Sequence, residues 1–79
     1  MENRLSLNCL PVGACCRVTG LESSGTERRR MLDLGLVNGT RVQALHRSPA
    51  GDPVAYFIRG AVIALRGEDA SMIWVEQES

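Results

Sequence analysis

The sequence predicts a mainly β fold, a small barrel of five short strands with one short α-helix after the first strand and one helical turn before the last. Three observations predict it. Apolar residues alternate with polar ones at a period of two in several short segments, as on a half-buried sheet. One stretch only, from Ser24 to about Leu34, has helical spacing, and Gly35 ends it. Turn-forming Gly, Pro and Asn fall between these segments at Asn38-Gly39, Ser48–Pro53, Arg59-Gly60 and Gly67.

Leu7, Leu10 and Val12 lead into Gly13, and from there Ala14, Cys16 and Val18 alternate with Cys15, Arg17 and Thr19. That is a first strand, with the former set inward, turning near Gly20. Ser24-Gly-Thr-Glu27 has the spacing of a capping box, in which hydroxyl and carboxylate each satisfy an orphan backbone N–H. The helix carries Arg28, Arg29 and Arg30 in its first half, with Leu32 and Leu34 on the buried side. Cations at that end oppose the helix dipole, and Glu27 and Asp33 offset them in part. Gly35 stands where the C-terminus of a helix wants positive φ, and Leu36 is expected to fold back on Met31.

After the Asn38-Gly39 turn, Val42 and Ala44 face inward while Arg41, Gln43, Leu45 and Arg47 face outward. Ser48–Pro53, with two prolines and a glycine, is a loop. Val54, Tyr56 and Ile58 then point in, and Ala55, Phe57 and Arg59 out. Arg59-Gly60 makes a tight hairpin into a strand with Ala61, Ile63 and Leu65 on the core side. Gly67–Ala70 has room for one helical turn, and Met72–Glu76 closes the chain with Ile73 and Val75 inward. Together these elements describe an SH3-like barrel over residues 1–79 as one domain, its last strand pairing with its first to close the sheet.

A chain of 79 residues buries only about 60–65% of its unfolded surface, and one Phe, one Tyr and one Trp leave the core aliphatic. Zero net charge gives no global field toward nucleic acid or anionic lipid. No run of roughly 20 apolar residues is present to span a bilayer. The stretch Met1–Leu10 has no apolar leader core. A cytoplasmic protein without membrane insertion is expected. Three cysteines, two of them adjacent, argue against a disulfide framework.

Cys9, Cys15, Cys16 and His46 hold the atoms of a soft metal site, yet neighbouring cysteines on a strand point to opposite faces. Cys16 reads as a small buried hydrophobe, and no metal ligand set or cofactor is assigned, although an unassigned transition metal stays open. The arginine run lacks interleaved aromatics, so it reads as a solvated helix face rather than a nucleic-acid site. The glycines form no phosphate-binding pattern, and no nucleophile is paired with a base. A non-enzymatic protein is expected. The outward apolar residues Leu45, Phe57, Val62 and Trp74 mark a contact surface, with Arg28 and Arg29 as a second candidate; Gly35, Gly39 and Gly60 are structural turns.

Leu7–Gly13, Arg29–Leu36, Gly39-Thr40, Gly51–Val54, Arg59-Gly60, Ile63–Arg66 and Glu68–Ala70, in that order and spacing, closely resemble the FeoA family of small bacterial proteins of ferrous-iron uptake. The resemblance runs from Leu7 to Val75. It implies an SH3-like barrel that binds FeoB, the membrane iron transporter with a GTPase, as a regulator. A homodimer stays open, and the alternative is a small transition-metal binding or sensing domain related to the C-terminal domains of iron-dependent repressors. Many relatives have Pro in place of Asn38, which implies a type II turn with Gly39 left-handed. The cysteines lie outside the family pattern.

Overall fold

The computed structural model describes residues 4–78. Residues 1–3 of the stretch considered as a leader, and residue 79 of the domain, lie outside these. The elements run β1 (Arg4–Ser6), a 3-10 turn (Leu7–Cys9), β2 (Cys15–Leu21), α1 (Gly25–Asp33), β3 (Arg41–Arg47), β4 (Val54–Ile58), β5 (Ala61–Leu65), α2 (Gly67–Ala70) and β6 (Ile73–Gln77). All strand pairings are antiparallel, in one six-stranded sheet of order β1-β6-β2-β3-β4-β5.

The expected pairing of the barrel's first and last strands is present, as Val18 opposite Val75. Two features differ from the expectation. The sheet has a sixth strand, β1, and it is not closed: its ladder ends at β1 and β5. β1 is three residues long with one apolar side chain, too short for alternation to be read; β6 templates it through Leu5 opposite Val75. The 3-10 turn after β1 packs against α2, and Leu7 and Ala70 of these two elements are fully buried. A short β1 with Arg4, and Arg59 and Arg66 flanking β5, protect the two edges from pairing with other chains.

The core holds Leu7, Leu10, Cys16, Val18, Met31, Leu36, Val42, Ala44, Val54, Tyr56, Ile58, Leu65, Ala70, Ile73 and Val75. The inward parity read for β2, β3, β4 and β6 is thus the observed one. On β5 only Leu65 is buried; Ile63 packs partly and Ala61 is exposed, because β5 runs along the open edge. Tyr56 is the largest buried side chain, and its hydroxyl donates a long 3.5 Å bond to the Leu7 carbonyl.

Helix α1 corrects two readings. Ser24 is the N-cap, but its hydroxyl makes no capping bond. The next residue, Gly25, takes φ 63°, a left-handed conformation at the first position of the helix. Leu32 is 40% exposed, and among helix residues only Met31 is buried. At 100° per residue Leu34 shares the Met31 face, where it packs partly, and Leu32 falls round the side.

The helix ends as read. Gly35 has φ 92°, its N–H donates to Leu32 O at 2.9 Å, and Leu36 N–H donates to Met31 O at 3.1 Å. Those two bonds are the Schellman pattern, with Met31 and Leu36 both buried beside it. Gly39 (φ 91°) sits in a four-residue turn closed by Thr40 N–H to Val37 O at 3.0 Å, in accord with type II. At the β4–β5 hairpin both Arg59 (φ 50°) and Gly60 (φ 85°) have positive φ, the type I′ signature. Asp52 at the end of the 48–53 loop accepts from the Gly67 N–H at 2.6 Å and ties that loop to the start of α2.

Candidate partner-binding face

Strand alternation puts one set of side chains on the outside of the sheet, and the register arranges them in rows across the strands. In one row Cys15 lies opposite Gln43, Gln43 opposite Phe57, and Phe57 opposite Val62. Phe57 is 43% exposed and Val62 63%. Phe57 and Val62 are therefore one apolar pair, brought together by the hairpin. Leu45, the extra residue where the β3–β4 register shifts between Ala44 and His46, is half-buried.

Trp74 does not join them. It sits on β6 opposite Ser6 and Gly20, with β2 and β3 intervening before β4. Its ring carries the Arg4 guanidinium 4.9 Å from the centroid, and its Nε1–H donates to Glu22 Oε1 at 2.7 Å. The indole is half-buried and already partnered. Arg28 and Arg29 are exposed on α1, away from this row; Arg28 reaches the Leu21 carbonyl at 3.4 Å. The third arginine of that run, Arg30, bridges to Asp69 at 2.7 Å and pins α1 to α2.

The second row was not legible in the sequence. Arg17 lies opposite Glu76 on one side and Arg41 on the other, and the Val42–Ile58 pairing sets Arg41 level with Arg59 one step further along. Like charges directly opposite on neighbouring strands repel. One carboxylate relieves part of that: Glu78 receives Arg17 Nε at 3.1 Å on Oε2 and Arg41 Nε at 3.1 Å on Oε1. Arg17 also donates to Gly39 O at 2.9 Å. Arg59 has no carboxylate partner among the described residues, and its stem lies over Gly35. Between the two rows is an open cavity of about 460 Å³ lined by Phe57, Gln43, Cys15, Thr40, Arg41 and Arg59. The sequence signal for the row was the outward parity of Arg17, Arg41 and Arg59, each read on its own strand.

A smaller cavity of about 310 Å³, between α1 and α2, is lined by Glu22, Glu27, Glu68 and Asp69. Asp69 there is taken by Arg30, and Glu22 by Trp74. Among the described residues no three His, Cys, Asp or Glu side chains converge as a metal set, and His46 is exposed on β3.

The cysteines occupy three different environments: Cys9 exposed, Cys15 half-buried on the outer face, Cys16 fully buried. Burial pushes the Cys16 thiol up from 9.0 to about 12, with Cys15 and Glu78 adding to the rise and a backbone hydrogen bond at Val42 opposing it. It stays a neutral thiol at physiological pH. In native protein a thiol reagent should therefore modify Cys9 fast and Cys15 more slowly, and reach Cys16 only after unfolding. A Cys9→Ser, Cys15→Ser double variant should match wild-type stability to within about 0.5 kcal/mol, as surface changes do. Because the folded thiol binds its proton more tightly than the unfolded one, its contribution is complete below pH 9 and lost as pH rises toward about 12. Urea midpoints over that range should fall less steeply in Cys16→Ala; equal slopes would show that the thiol titrates alike in both states.

The model of the FeoA domain family matches residues 5–77. The chain is 35% identical over 72 residues to the Fe(2+) transport protein A/Fe(2+) transporter FeoB fusion protein of Porphyromonas gingivalis, a match covering 91% of this chain and 8% of that much longer one. The solution structure of a FeoA-like protein from Clostridium acetobutylicum aligns with a TM-score of 0.90 at 32% identity, over 100% of this chain and 92% of that one. The zinc complex of Stenotrophomonas maltophilia FeoA, described as a prokaryotic SH3 domain protein, aligns at 0.82 and 26% identity over 94% and 95% of the two chains. A manganese-dependent transcriptional repressor shares the fold at a TM-score of 0.85 and 19% identity, over 99% of this chain and 44% of that one.

Proposed function

Since the chain belongs to the FeoA family, we propose that it is a non-enzymatic cytoplasmic accessory protein of ferrous-iron uptake that binds the cytosolic part of a FeoB-type transporter. The observation that carries this reading is the Porphyromonas gingivalis relative, in which a FeoA-like stretch and FeoB are one polypeptide. Joining two modules in one chain raises the effective concentration of each near the other, which is useful where the two must meet. The surface supports a docking role. Phe57 and Val62 form an exposed apolar pair on rigid strands, beside a cavity and flanked by arginines, the composition of an interface centre. Docking would bias the conformation or nucleotide cycle of the transporter through differential affinity for its states.

A metal-sensing role is the weaker reading, since the thiols are dispersed among three environments. Purified protein should be retained by the transporter's immobilised cytosolic region at low salt and should release as salt rises. No retention at any salt concentration would remove the proposal, and stoichiometric metal uptake by the reduced protein would favour the sensing role.

A further inference from the structure

We propose that the Arg17–Arg41–Arg59 row, with Phe57 beside it, is a receptor for an acidic segment of the protein partner, and that Glu78 of this chain occupies part of that receptor when the partner is absent. The inference rests on the outer face being the docking surface, and names what that surface recognises.

Three guanidinium groups in adjacent ladder positions, on β2, β3 and the β4–β5 turn, are an arrangement that costs stability unless anions lie among them. The chain supplies two carboxylates near the row: Glu76, opposite Arg17 at the end away from Arg41, and Glu78, which bridges Arg17 and Arg41 and goes no further. The arginines are about 60% open (58% and 62%) and Glu78 is 28% open, so solvent screens the bridge from the arginine side and it is weak and exchangeable. Arg59 is left over. It also holds φ 50°, where a type I′ turn favours Asn, Asp or Gly, so local backbone preference does not explain an arginine there.

The row geometry limits the occupant. Neighbouring strands are about 4.8 Å apart, so the row spans about 10 Å, room for two carboxylates side by side. The Phe57 row lies two residues along each strand, about 6.6 Å away, with the cavity between. A segment with Asp or Glu next to an aliphatic residue meets both rows at once: its carboxylates pair with the guanidinium forks and its apolar group lies on Phe57 and Val62. A nucleotide fits less well, because the face offers a single ring with an aliphatic neighbour and no second aromatic wall. The side-chain carboxylate already on Arg17 and Arg41 shows the chemistry the row accepts.

The test uses a short fluorescein-labelled peptide of Glu, Asp and Leu, and its counterpart with Gln and Asn, in fluorescence anisotropy on the whole chain. Saturable binding of the acidic peptide alone is expected. Arg59→Gln and Arg41→Gln should each weaken it about tenfold, which is about 1.4 kcal/mol. Glu78→Gln should tighten it by freeing two guanidinium groups. Arg66→Gln, which makes the same change in net charge at the exposed residue before α2, should leave it unaltered, and melting temperatures check that each variant is folded. Equal binding of the neutral peptide, equal loss in Arg66→Gln, or no gain in Glu78→Gln overturns the proposal, as does GTP or RNA displacing the peptide through these same arginines. Because the probe is a peptide, a transporter that fails to bind while the peptide binds removes the assigned partner and leaves the receptor standing. A transporter that binds wild type and Arg59→Gln alike removes the receptor alone.

Discussion

Gly35→Val should lower the melting temperature by roughly 8–16 °C, from about 2 kcal/mol lost at 4–8 °C per kcal/mol in a domain of this size. Two separate causes act at this position. With φ at 92°, the backbone is in a region where a Cβ clashes with the chain itself, and a β-branched side chain fits worst. Any Cβ would also overlap Cδ of Arg59, whose stem crosses the glycine. The second cause can be relieved by moving a flexible side chain; the first cannot. Arg59→Ala added to Gly35→Val should therefore recover only part of the loss, while Gly35→Ala should be milder than Gly35→Val. The penalty is large because the Schellman bonds to Leu32 and Met31 depend on this conformation, and they place Leu36 in the core. Full recovery in the double variant would mean that the steric clash is the whole effect and the backbone tolerates a side chain here.

That helix end was legible because everything that decides it lies within six residues. The alternation of Val54, Tyr56 and Ile58 was legible for the same reason: period and burial agree along one strand. What the sequence left hidden depends on register between strands far apart in the chain. The Arg17–Arg41–Arg59 row forms only when β2, β3 and β4 align, and one of the determinants is irregular, the register shift between Ala44 and His46 in the β3–β4 pairing. A single-residue slip would move each arginine to the other face, so outward parity alone could not assemble them. Trp74 illustrates the converse. Its parity read correctly as outward, but the partners that cover it, Arg4 and Glu22, come from segments 70 and 52 residues away in the sequence. Leu32 misled for a local reason, since three leucine or methionine positions in four residues cannot all share one helical face.

Apolar and charged rows on one face divide the expected work between them. Contacts at 3.1 Å from largely exposed arginines to the half-buried Glu78 carboxylate add little to folding, so their removal should cost the domain little. They matter to encounter and to choice of partner, through charge steering that salt weakens. Residence on the partner should instead come from the desolvated ring of Phe57 and its neighbour Val62.

Phe57→Glu should accordingly leave circular dichroism and thermal stability nearly intact while weakening association with the transporter about tenfold or more. The ring is 43% exposed and flanked along β4 by the inward Tyr56 and Ile58, so its loss removes no core volume. Its replacement does two things to the docking face. It deletes the apolar anchor, and it places a carboxylate beside Arg41 and Arg59, where that group lines the same cavity and competes with any acidic segment. Phe57→Ala separates these contributions, since it removes the ring and adds no charge; it should weaken binding less than Phe57→Glu does. The salt dependence separates them again. Phe57→Ala should keep the wild-type slope with its affinity lowered throughout, whereas Phe57→Glu should flatten the slope, because part of the guanidinium charge is then satisfied within the chain. Loss of the fold in Phe57→Glu would contradict the Phe57–Val62 register. A folded variant with wild-type binding would move the interface off this sheet face, and the exposed arginines of α1, Arg28 and Arg29, would be the surface to change next.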